Sequence, residues 1–443
     1  MHWILDPVGY MRSNFQRFGN IIRIRFYGVN PGNTYLVSDP VSMQEILSND
    51  TGRTFSAPGE FNEILASILG RSGTILLSGG PHRQRRQLVM PRFHGEVLQE
   101  YARSITAITS EEIGRWPIGD VREMRPLMHA ITMRVILKVV FGLDQGKRYE
   151  TILHLLSRRL EMTATPVSSA VLFFPWLQND YGPWSLGGRM RRRGEEIDAL
   201  LFEEIEERRA AGRGDRSDLL SVLLHATDEK GEGLTDQELR DELMTLLVAG
   251  HETTATALTA ALYWLHRTPP VLEKLRQELK TLASSPAPEE LLRLPYLAAV
   301  CQEALRIHPV AMLTFPRRVE VPVECCGHLL SPGDVVMGAI YQLHQREDLY
   351  PDPDEFRPER FLERQYSPYE YMPFGAGVRR CVGAALAQQE MKIVLGMIVG
   401  QMRLTPMNPK PVPQARRGVT LGHGAPVLLR REPSSGAAQE LSG

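Results

Sequence analysis

Apolar side chains recur with a helical period over most of the chain. Between about residues 95 and 230, apolar positions return every three or four residues, which is the spacing of one face of an α-helix. The pattern resumes over Leu234 to about Arg267 as one long helix. Thr235 and Glu238 form a capping box at its start, and a Pro-Pro pair follows its end. A helix of this length spans on the order of 50 Å, enough to cross a protein of this size.

Short strands are predicted in two parts of the chain. Ile21–Phe26 and Tyr35–Val37 are rich in β-branched and aromatic residues. Short apolar segments separated by turns also follow residue 310. The β-rich portion therefore falls mainly in residues 20–50 and 310–340. The predicted fold class is mainly α with a small β portion.

No internal repeat or interdomain linker divides the chain. We expect a single domain over residues 1–432, followed at 433–443 by a disordered tail rich in Ser, Gly and Glu. Residues 52–80 carry several glycines and few charges, and they predict a long loop with one short helix. Long loops inside compact domains are usually functional.

The composition is that of an ordinary globular protein. The chain has 443 residues, of which 43% are hydrophobic and 23% charged, and its formal net charge is −1. So small a net charge excludes a global field that would attract nucleic acid. Four cysteines without a CxxC pair fit a reducing compartment, so we expect a cytoplasmic protein. The N-terminus has the pattern of neither a signal peptide nor a membrane anchor, and we expect no anchor.

Cys381 lies in a Gly-rich stretch, Met372–Gly383, just before a helical pattern that runs from Ala384 to about Met402. Gly375 and Gly377 allow tight turns and the close approach of a flat ligand. A thiol near a helix N-terminus and beside arginines tends to ionise, and a thiolate is a good soft metal ligand. The alternative for a lone residue of this kind is a buried structural cysteine.

The middle of the long helix departs from the rules of a helix interior, at Ala249-Gly250-His251-Glu252-Thr253-Thr254. Gly250 costs about 1 kcal/mol relative to alanine, and Glu252 is costly in an apolar stretch unless it is hydrogen-bonded or wet. Two such departures together indicate a site. The small residue leaves room for a diatomic ligand, and an acid followed by an alcohol can relay protons. Glu252 and Thr253 are therefore the catalytic candidates.

Two further pairs of charged residues are weak signals on their own. His82 and Arg86 are four residues apart, so they share one helix face, which is commonly a solvated one. Glu303 and Arg306 are three apart, and such pairs also usually mark a solvated face. Their meaning depends on the motifs around them.

Together these motifs resemble the cytochrome P450 superfamily, in its soluble bacterial form. The cysteine loop matches Phe-Gly-x-Gly-x-Arg-x-Cys-x-Gly in full, through Phe374, Gly375, Gly377, Arg379, Cys381 and Gly383. The resemblance covers nearly the whole chain, with five motifs in the family's order. It implies the single-domain P450 fold, with haem between the long central helix and the C-terminal Cys-loop helix.

The resemblance also implies roles for individual residues. Cys381 would be the thiolate ligand of the iron of haem b, with Phe374 and Gly383 beside the cofactor. Haem propionates would be bound by four basic residues: His82, Arg86, Arg317 and Arg379. A structural ion network behind the haem loop would consist of Glu303, Arg306 and Arg360.

The implied function is that of a haem-thiolate monooxygenase. The enzyme would insert one oxygen atom from O₂ into an apolar small molecule, such as a fatty acid, a terpenoid or a macrolide-like compound of secondary metabolism. Glu252 and Thr253 would manage protons. The predicted substrate pocket is lined by Met244, Leu247, Val248, Ala249, Ala311, Met312, Leu313 and Val419. The motifs consume the whole chain, so electrons would come from an external ferredoxin and ferredoxin reductase, and we expect a monomer.

Two alternatives stay open at this point. One is a peroxide-using or dehydrating relative with the same fold, and the other is a non-catalytic haem-binding protein. Relatives of the first kind depart from the acid–alcohol pair, which is intact at Glu252 and Thr253. A protein of the second kind would be expected to lose this proton relay.

Two surface features have two interpretations each. The apolar segment Val171–Leu177 is either plain core or, by the resemblance, an entrance lid over the pocket. Arg83, Arg85 and Arg380 are either solvated surface residues or a basic docking face for an acidic ferredoxin.

Overall fold

The computed structural model describes residues 2–24, 33–143, 146–163, 165, 167–212, 216, 218–227, 231–283 and 286–433. Within these residues the protein is mainly helical with small sheets, as predicted. The predicted tail, apart from residue 433, lies outside the described residues, as do the last two residues of the predicted strand Ile21–Phe26.

The α-helices are α1 (His2–Leu5), α2 (Pro7–Phe18), α3 (Pro40–Ser48), α4 (Ala66–Leu69), α5 (Gly79–Val89), α6 (Val97–Gly114), α7 (Met124–Phe141), α8 (Lys147–Glu161), α9 (Ala170–Phe173), α10 (Leu186–Ala211), α11 (Leu219–His225), α12 (Asp236–Arg267), α13 (Pro269–Leu279), α14 (Pro288–Leu292), α15 (Pro295–Ile307), α16 (Ile340–Leu343), α17 (Arg360–Glu363) and α18 (Ala384–Gln401). Short 3₁₀ helices span Gly59–Leu65, Met90–Phe93, Pro175–Gln178 and Gly377–Arg379.

The strands are β1 (Ile21–Ile24), β2 (Thr34–Val37), β3 (Phe55–Ser56), β4 (Val121–Glu123), β5 (Arg317–Val319), β6 (Val323–Cys325), β7 (His328–Leu330), β8 (Val335–Gly338), β9 (Arg403–Pro406), β10 (Gln414–Arg417), β11 (Thr420–His423) and β12 (Leu428–Glu432). The largest sheet has the order β1-β2-β8-β5-β3, in which only the β2–β8 pair is parallel. The strands β4, β12 and β9 form a second sheet, and β6–β7 and β10–β11 are hairpins.

The long central helix is confirmed as α12. Thr235 is its N-cap: the Thr235 hydroxyl accepts from the Glu238 N–H, and the Glu238 carboxylate accepts from the Thr235 N–H at 3.0 Å. The helix ends at Arg267. After Thr268, α13 begins with two prolines. Because the capping chemistry is local, the sequence located this start to within two residues.

The main apolar core surrounds α12, which packs against α7, α15 and α18. Helix α7 is buried on most of its circumference, so it lies inside the protein and not on its surface. Within the described residues, no helix has the length and apolarity needed to cross a bilayer.

The β-rich parts position several functional segments. The pairing of β5 with β8 sets Arg317 opposite Val336, which fixes the point at which this arginine leaves the sheet. The β10–β11 hairpin turns at Gly418, whose φ of +60° is one that glycine adopts without strain, and its tip carries Val419 into a central cavity. The β10–β11 hairpin thus forms part of the cavity wall.

Candidate active site

One cavity of about 1170 Å³ lies between α12 and the loop before α18. Its walls come from α5, α9, α12, the segment after α15, the cysteine loop and the tip of the β10–β11 hairpin. The side chains that line it are mostly apolar. The elements that carried the sequence motifs thus meet around a single space.

The cysteine loop turns twice through glycines in the left-handed region. Gly375 has φ +64° and Gly377 has φ +70°. A Cβ on Gly377 would meet Asp50 Oδ2 at 2.2 Å, whereas one on Gly375 would meet nothing within 4 Å. The Cys381 N–H donates to the Phe374 carbonyl at 3.0 Å and closes the loop. Cys381 lines the cavity together with Phe374 and Gly383.

The electrostatics of Cys381 differ in part from the expectation. Burial raises the pKa of the Cys381 thiol, while the Gly383 N–H and the charges of Arg86 and Arg380 act in the opposite direction. Burial is the larger effect, so the loop by itself raises the pKa of this thiol, whereas a bound metal ion would lower it. Arg379, which we expected to assist, instead bonds to backbone carbonyls.

Four basic groups line the same cavity, as the resemblance implied: His82, Arg86, Arg317 and Arg379. Burial, together with the charges of Arg379, Arg86 and Arg317, lowers the pKa of His82 to about 3. Burial also lowers the pKa of Arg379 to about 10. Positive charge is therefore crowded on this wall, and an anionic ligand would relieve the repulsion.

Each arginine of this wall is held in place by a neighbour. Arg317 Nε donates to Asp50 Oδ2 at 2.8 Å, with both side chains buried. Arg379 Nη2 donates to the carbonyls of Ala57 and Leu77, at 2.6 Å in each case. Arg86 Nη1 donates to the Arg380 carbonyl at 2.7 Å. These bonds join α5 and the segment around residue 57 to the cysteine loop.

This donor set fits a haem. A single thiol faces a cavity large enough for a flat macrocycle, an open glycine surface lies beside it, and a wall of cations suits two carboxylates. We conclude that the residues present match the cofactor that the motif predicts.

Thr253 and Glu252 lie on the α12 wall of the cavity. The Thr253 hydroxyl donates to the Ala249 carbonyl at 2.6 Å, which leaves its oxygen lone pairs free to accept a proton from a ligand in the cavity. The same hydroxyl is thereby fixed in orientation.

Glu252 is held by α7, which we did not predict. Arg125 Nη2 donates to Glu252 Oε1 at 2.7 Å, and His129 Nε2 lies 3.1 Å from Glu252 Oε2. Burial would raise the pKa of Glu252, but His129 and Arg125 outweigh it and hold that pKa well below its usual range. The carboxylate is therefore an ionised group held in a fixed cluster.

A second histidine completes this cluster. His251 is fully buried, and its Nδ1 is 2.6 Å from the Leu247 carbonyl, so Nδ1 carries the proton and Nε2 is left as an acceptor. The rings of His129 and His251 meet edge to face, with centroids 5.3 Å apart. Burial, followed by the proximity of His129, lowers the pKa of His251 to about 4.

Gly250 has a packing role that the sequence did not show. A Cβ at this position would lie 2.7 Å from Ile136 Cδ1 on α7, which is closer than a real contact allows. The glycine therefore permits the close approach of α7 to α12. We had attributed it only to space for a diatomic ligand.

Six of the eight predicted pocket residues line the cavity: Val248, Ala249, Ala311, Met312, Leu313 and Val419. Met244 and Leu247 do not, and both are fully buried in the core on another face of α12. The prediction turned the wrong face of the helix towards the cavity at these two positions, since Thr245 and Leu246 line the cavity instead.

The predicted ion network is present and buried. Glu303 accepts from Arg306 Nε at 2.7 Å and from Arg360 Nε at 3.2 Å, and none of the three side chains is more than 3% exposed. Arg306 also donates to the His344 carbonyl at 2.9 Å. The solvated-face interpretation of this pair is therefore wrong.

The structure also distinguishes between the interpretations of the apolar segment Val171–Leu177 and of the three arginines proposed for a docking face. Leu172 and Phe173 of the apolar segment line the cavity, while Trp176 is 61% exposed, so the segment lies at the cavity's edge. Arg85 is buried and bonds to Glu238 and Glu242, so its place in a docking face is wrong. Arg83 and Arg380 remain exposed.

A thiol that faces a large apolar cavity, with a basic wall for two carboxylates, defines the class of haem-thiolate proteins. Residues 5–427 match the cytochrome P450 family. The chain is 38% identical over 392 residues to cytochrome P450 135B1 of Mycobacterium tuberculosis, covering 88% of this chain and 80% of that protein. It is 33% identical over 426 residues to cytochrome P450 135A1 of the same organism, covering 95% and 90%.

Solved structures share the fold. A retinoic acid-bound cyanobacterial CYP120A1 is similar with a TM-score of 0.85 and 24% identity, covering 97% of this chain and 95% of that one. The haem domain of cytochrome P450DA gives 0.81 and 23%, covering 96% and 93%. The chain belongs to the cytochrome P450 family. It is accordingly an oxidoreductase that uses haem, O₂ and a redox partner.

Proposed function

We propose that this enzyme inserts one oxygen atom from O₂ into an apolar small molecule, with electrons from a ferredoxin and its reductase and with haem b as cofactor. The supporting observation is that the thiol of Cys381 and the Glu252–Thr253 pair line one apolar cavity. We also propose a cytoplasmic location, where a thiolate ligand stays reduced. The substrate would be a fatty acid, a terpenoid or a macrolide-like product of secondary metabolism.

Bound haem would supply the redox chemistry, with electron density from a thiolate ligand favouring O–O cleavage. Cys381 would hold its iron, and Phe374 and Gly383 would contact the macrocycle. The same wall would bind both propionates, through His82, Arg86, Arg317 and Arg379. Because these side chains are already fixed by Asp50 and by backbone carbonyls, the wall is preorganised for the cofactor.

Proton handling would fall to two residues of α12. Thr253 would accept and donate a hydrogen bond at its hydroxyl, since that hydroxyl already has a fixed partner in the Ala249 carbonyl. Glu252, ionised between Arg125 and His129, would accept hydrogen bonds from proton donors and orient them at the wall of the cavity. Apolar residues around Val248 and Ala311 would exclude bulk water from the reacting region.

The alternatives differ from this proposal in observable ways. A peroxide-using or dehydrating relative would not need the ordered Glu252 cluster, and a non-catalytic haem protein would not need Thr253. The presence of both groups at the cavity supports the monooxygenase reaction.

The test combines spectroscopy with turnover. Reduced protein with carbon monoxide should show the red-shifted Soret band of a thiolate-ligated haem, and Cys381→Ala should lose it. Cys326→Ala, which lies away from the cavity and is partly exposed, is the matched control and should keep the band. NADPH, ferredoxin and ferredoxin reductase should then support product formation. A histidine-type spectrum would refute the proposal. So would product formation with hydrogen peroxide but none with NADPH, ferredoxin and ferredoxin reductase.

A further inference from the structure

A buried arginine lies in the cavity wall away from the cationic residues assigned to haem. Arg416, on β10, is 2% exposed and lines the cavity. Its Nη2 donates to the Trp3 carbonyl at 3.0 Å, and its Nε has no hydrogen-bond partner among the described residues. The neighbours of this side chain are on α1 and α9, and neither helix carries the cysteine loop or the catalytic pair.

Arg416 lacks the carboxylate that buried arginines usually have. Nine arginines are buried among the described residues, and six of them form an ion pair with Asp or Glu: Arg85, Arg208, Arg240, Arg306, Arg317 and Arg360. The other three are Arg159, Arg379 and Arg416. Arg379 is accounted for by haem, and Arg159 is not a cavity residue. Only Arg416 among them therefore offers an unpaired cation to a ligand in the remaining part of the cavity.

Two aromatic rings hold this guanidinium. Its central carbon lies 4.8 Å from the Trp3 ring centroid and 5.0 Å from that of Phe173. Stacking against rings fixes the plane of the group while leaving its N–H edge available. Burial lowers the pKa of Arg416 to about 10, so the side chain still carries its charge at neutral pH.

An unpaired buried cation is energetically costly, and the cost is recovered when an anion binds. Most of the side chains that line the same cavity are apolar, including Leu172, Met312 and Val419. A ligand complementary to this arrangement has an apolar body and one terminal carboxylate, the group that a guanidinium fork binds with two parallel hydrogen bonds.

We propose that the substrate is an apolar carboxylic acid, and that Arg416 binds its carboxylate. The acid end would then lie between α1 and α9, beside Trp3 and Phe173. This inference rests on the proposed monooxygenase function and narrows its substrate to acids of the fatty-acid or terpenoid type.

Binding is measured by equilibrium dialysis of holoprotein against two matched pairs: lauric acid with methyl laurate, and retinoic acid with retinol. The wild type should bind at least one acid about tenfold or more tightly than its neutral partner, equivalent to about 1.4 kcal/mol. Arg416→Gln should abolish that preference without weakening the neutral compound. Arg416→Lys keeps the charge but not the forked guanidinium, so it should retain part of the preference for the acid. This variant also tests the proposal if Arg416→Gln does not fold.

Arg189→Gln is the charge-matched control, because Arg189 is an exposed arginine on α10. It should leave the preference unchanged. An equal affinity for acid and neutral partner in both pairs overturns the proposal, as does a preference that survives in Arg416→Gln. Dialysis needs no electron transfer, and the carbon monoxide spectrum is recorded on the same samples. A failure of the monooxygenase proposal is thus seen separately from a failure of acid binding.

Discussion

At the scale of single residues, Thr253 and Glu252 are neighbours in sequence but have different surroundings. The Thr253 hydroxyl bonds only within its own helix, to the Ala249 carbonyl. The Glu252 carboxylate bonds across to another helix, through Arg125 and His129. The orientation of the Thr253 hydroxyl is therefore set within α12, whereas the position and charge of the Glu252 carboxylate depend on how α7 packs against α12.

Thr253→Ala should uncouple electron use from product formation. Haem content and substrate binding should be nearly unchanged, because the hydroxyl makes no tertiary bond. NADPH should still be consumed, with most electrons appearing as hydrogen peroxide, since the proton that directs oxygen cleavage is delivered less well. Peroxide and product are quantified per NADPH. Thr259→Ala, which removes a similar bond to the Ala255 carbonyl outside the main cavity, should keep the wild-type ratio.

His129→Gln should move the acid limb of the pH–rate profile to higher pH. His129 helps to hold the pKa of Glu252 low, so its loss lets burial raise that pKa. A shift on the order of one pH unit is expected from the loss of one close hydrogen-bonding partner. A purely structural role would lower the rate at all pH values without moving the limb. His154→Gln, at an exposed site on α8, is the control.

At the scale of elements, charged side chains join helices to loops that are distant in sequence. Glu303 on α15 accepts from the Arg357 N–H at 2.9 Å as well as from Arg306 and Arg360, so one carboxylate connects α15 to the start of α17. Both arginines also donate to backbone carbonyls, including that of His344. The segment before the cysteine loop is thus anchored from behind.

Glu303→Ala should lower the free energy of unfolding by about 3–5 kcal/mol, because it leaves two buried guanidinium groups without their carboxylate. Urea unfolding measures the change, and haem content should fall with it. Glu363→Ala removes the partner of Arg357 from an exposed pair, and it should cost less than about 1 kcal/mol. If both variants are equally stable, the buried network does not support the fold as described.

At the scale of the whole molecule, the interior contains several neutral histidines. Burial lowers the pKa of His251, His266 and His308 to about 4, and that of His344 to about 3. An unfolded histidine titrates at about 6.5. The unfolded chain therefore binds more protons between about pH 6.5 and 4, and these groups reduce stability as the pH falls through that window. Glu242 and Glu390 act in the opposite sense, since burial raises their pKa.

A single substitution isolates one histidine from these opposing contributions. His266→Gln removes one buried titrating group, so the slope of unfolding free energy against pH should fall by about 1 kcal/mol per pH unit between about pH 6 and 5. Denaturant unfolding across this range gives the slope. His328→Gln, at an exposed position, should not alter it. An unchanged slope in His266→Gln would mean that this histidine is protonated inside the protein.

Local chemistry allowed much of the site to be predicted from the sequence. The capping box of Thr235 and Glu238 located α12, and the glycine spacing before Cys381 identified the loop. Both signals depend on residues close together in the chain, whose backbone geometry is set by neighbours. Around Met244–Ala249 nearly every residue is apolar, so the sequence does not show which face of α12 meets the cavity. Met244 and Leu247 were therefore assigned to the wrong face.

The sequence by itself determined the family, the order of the main elements and most of the predicted residues that line the cavity, because motifs and periodicity are properties of short segments. Only the tertiary structure decided the partners of charged groups, since Arg125 is 127 residues from Glu252 and Asp50 is 267 residues from Arg317. Such pairings follow from chain topology and from the cost of leaving a buried charge alone. The same cost makes Arg416, which has no carboxylate partner, informative about the ligand.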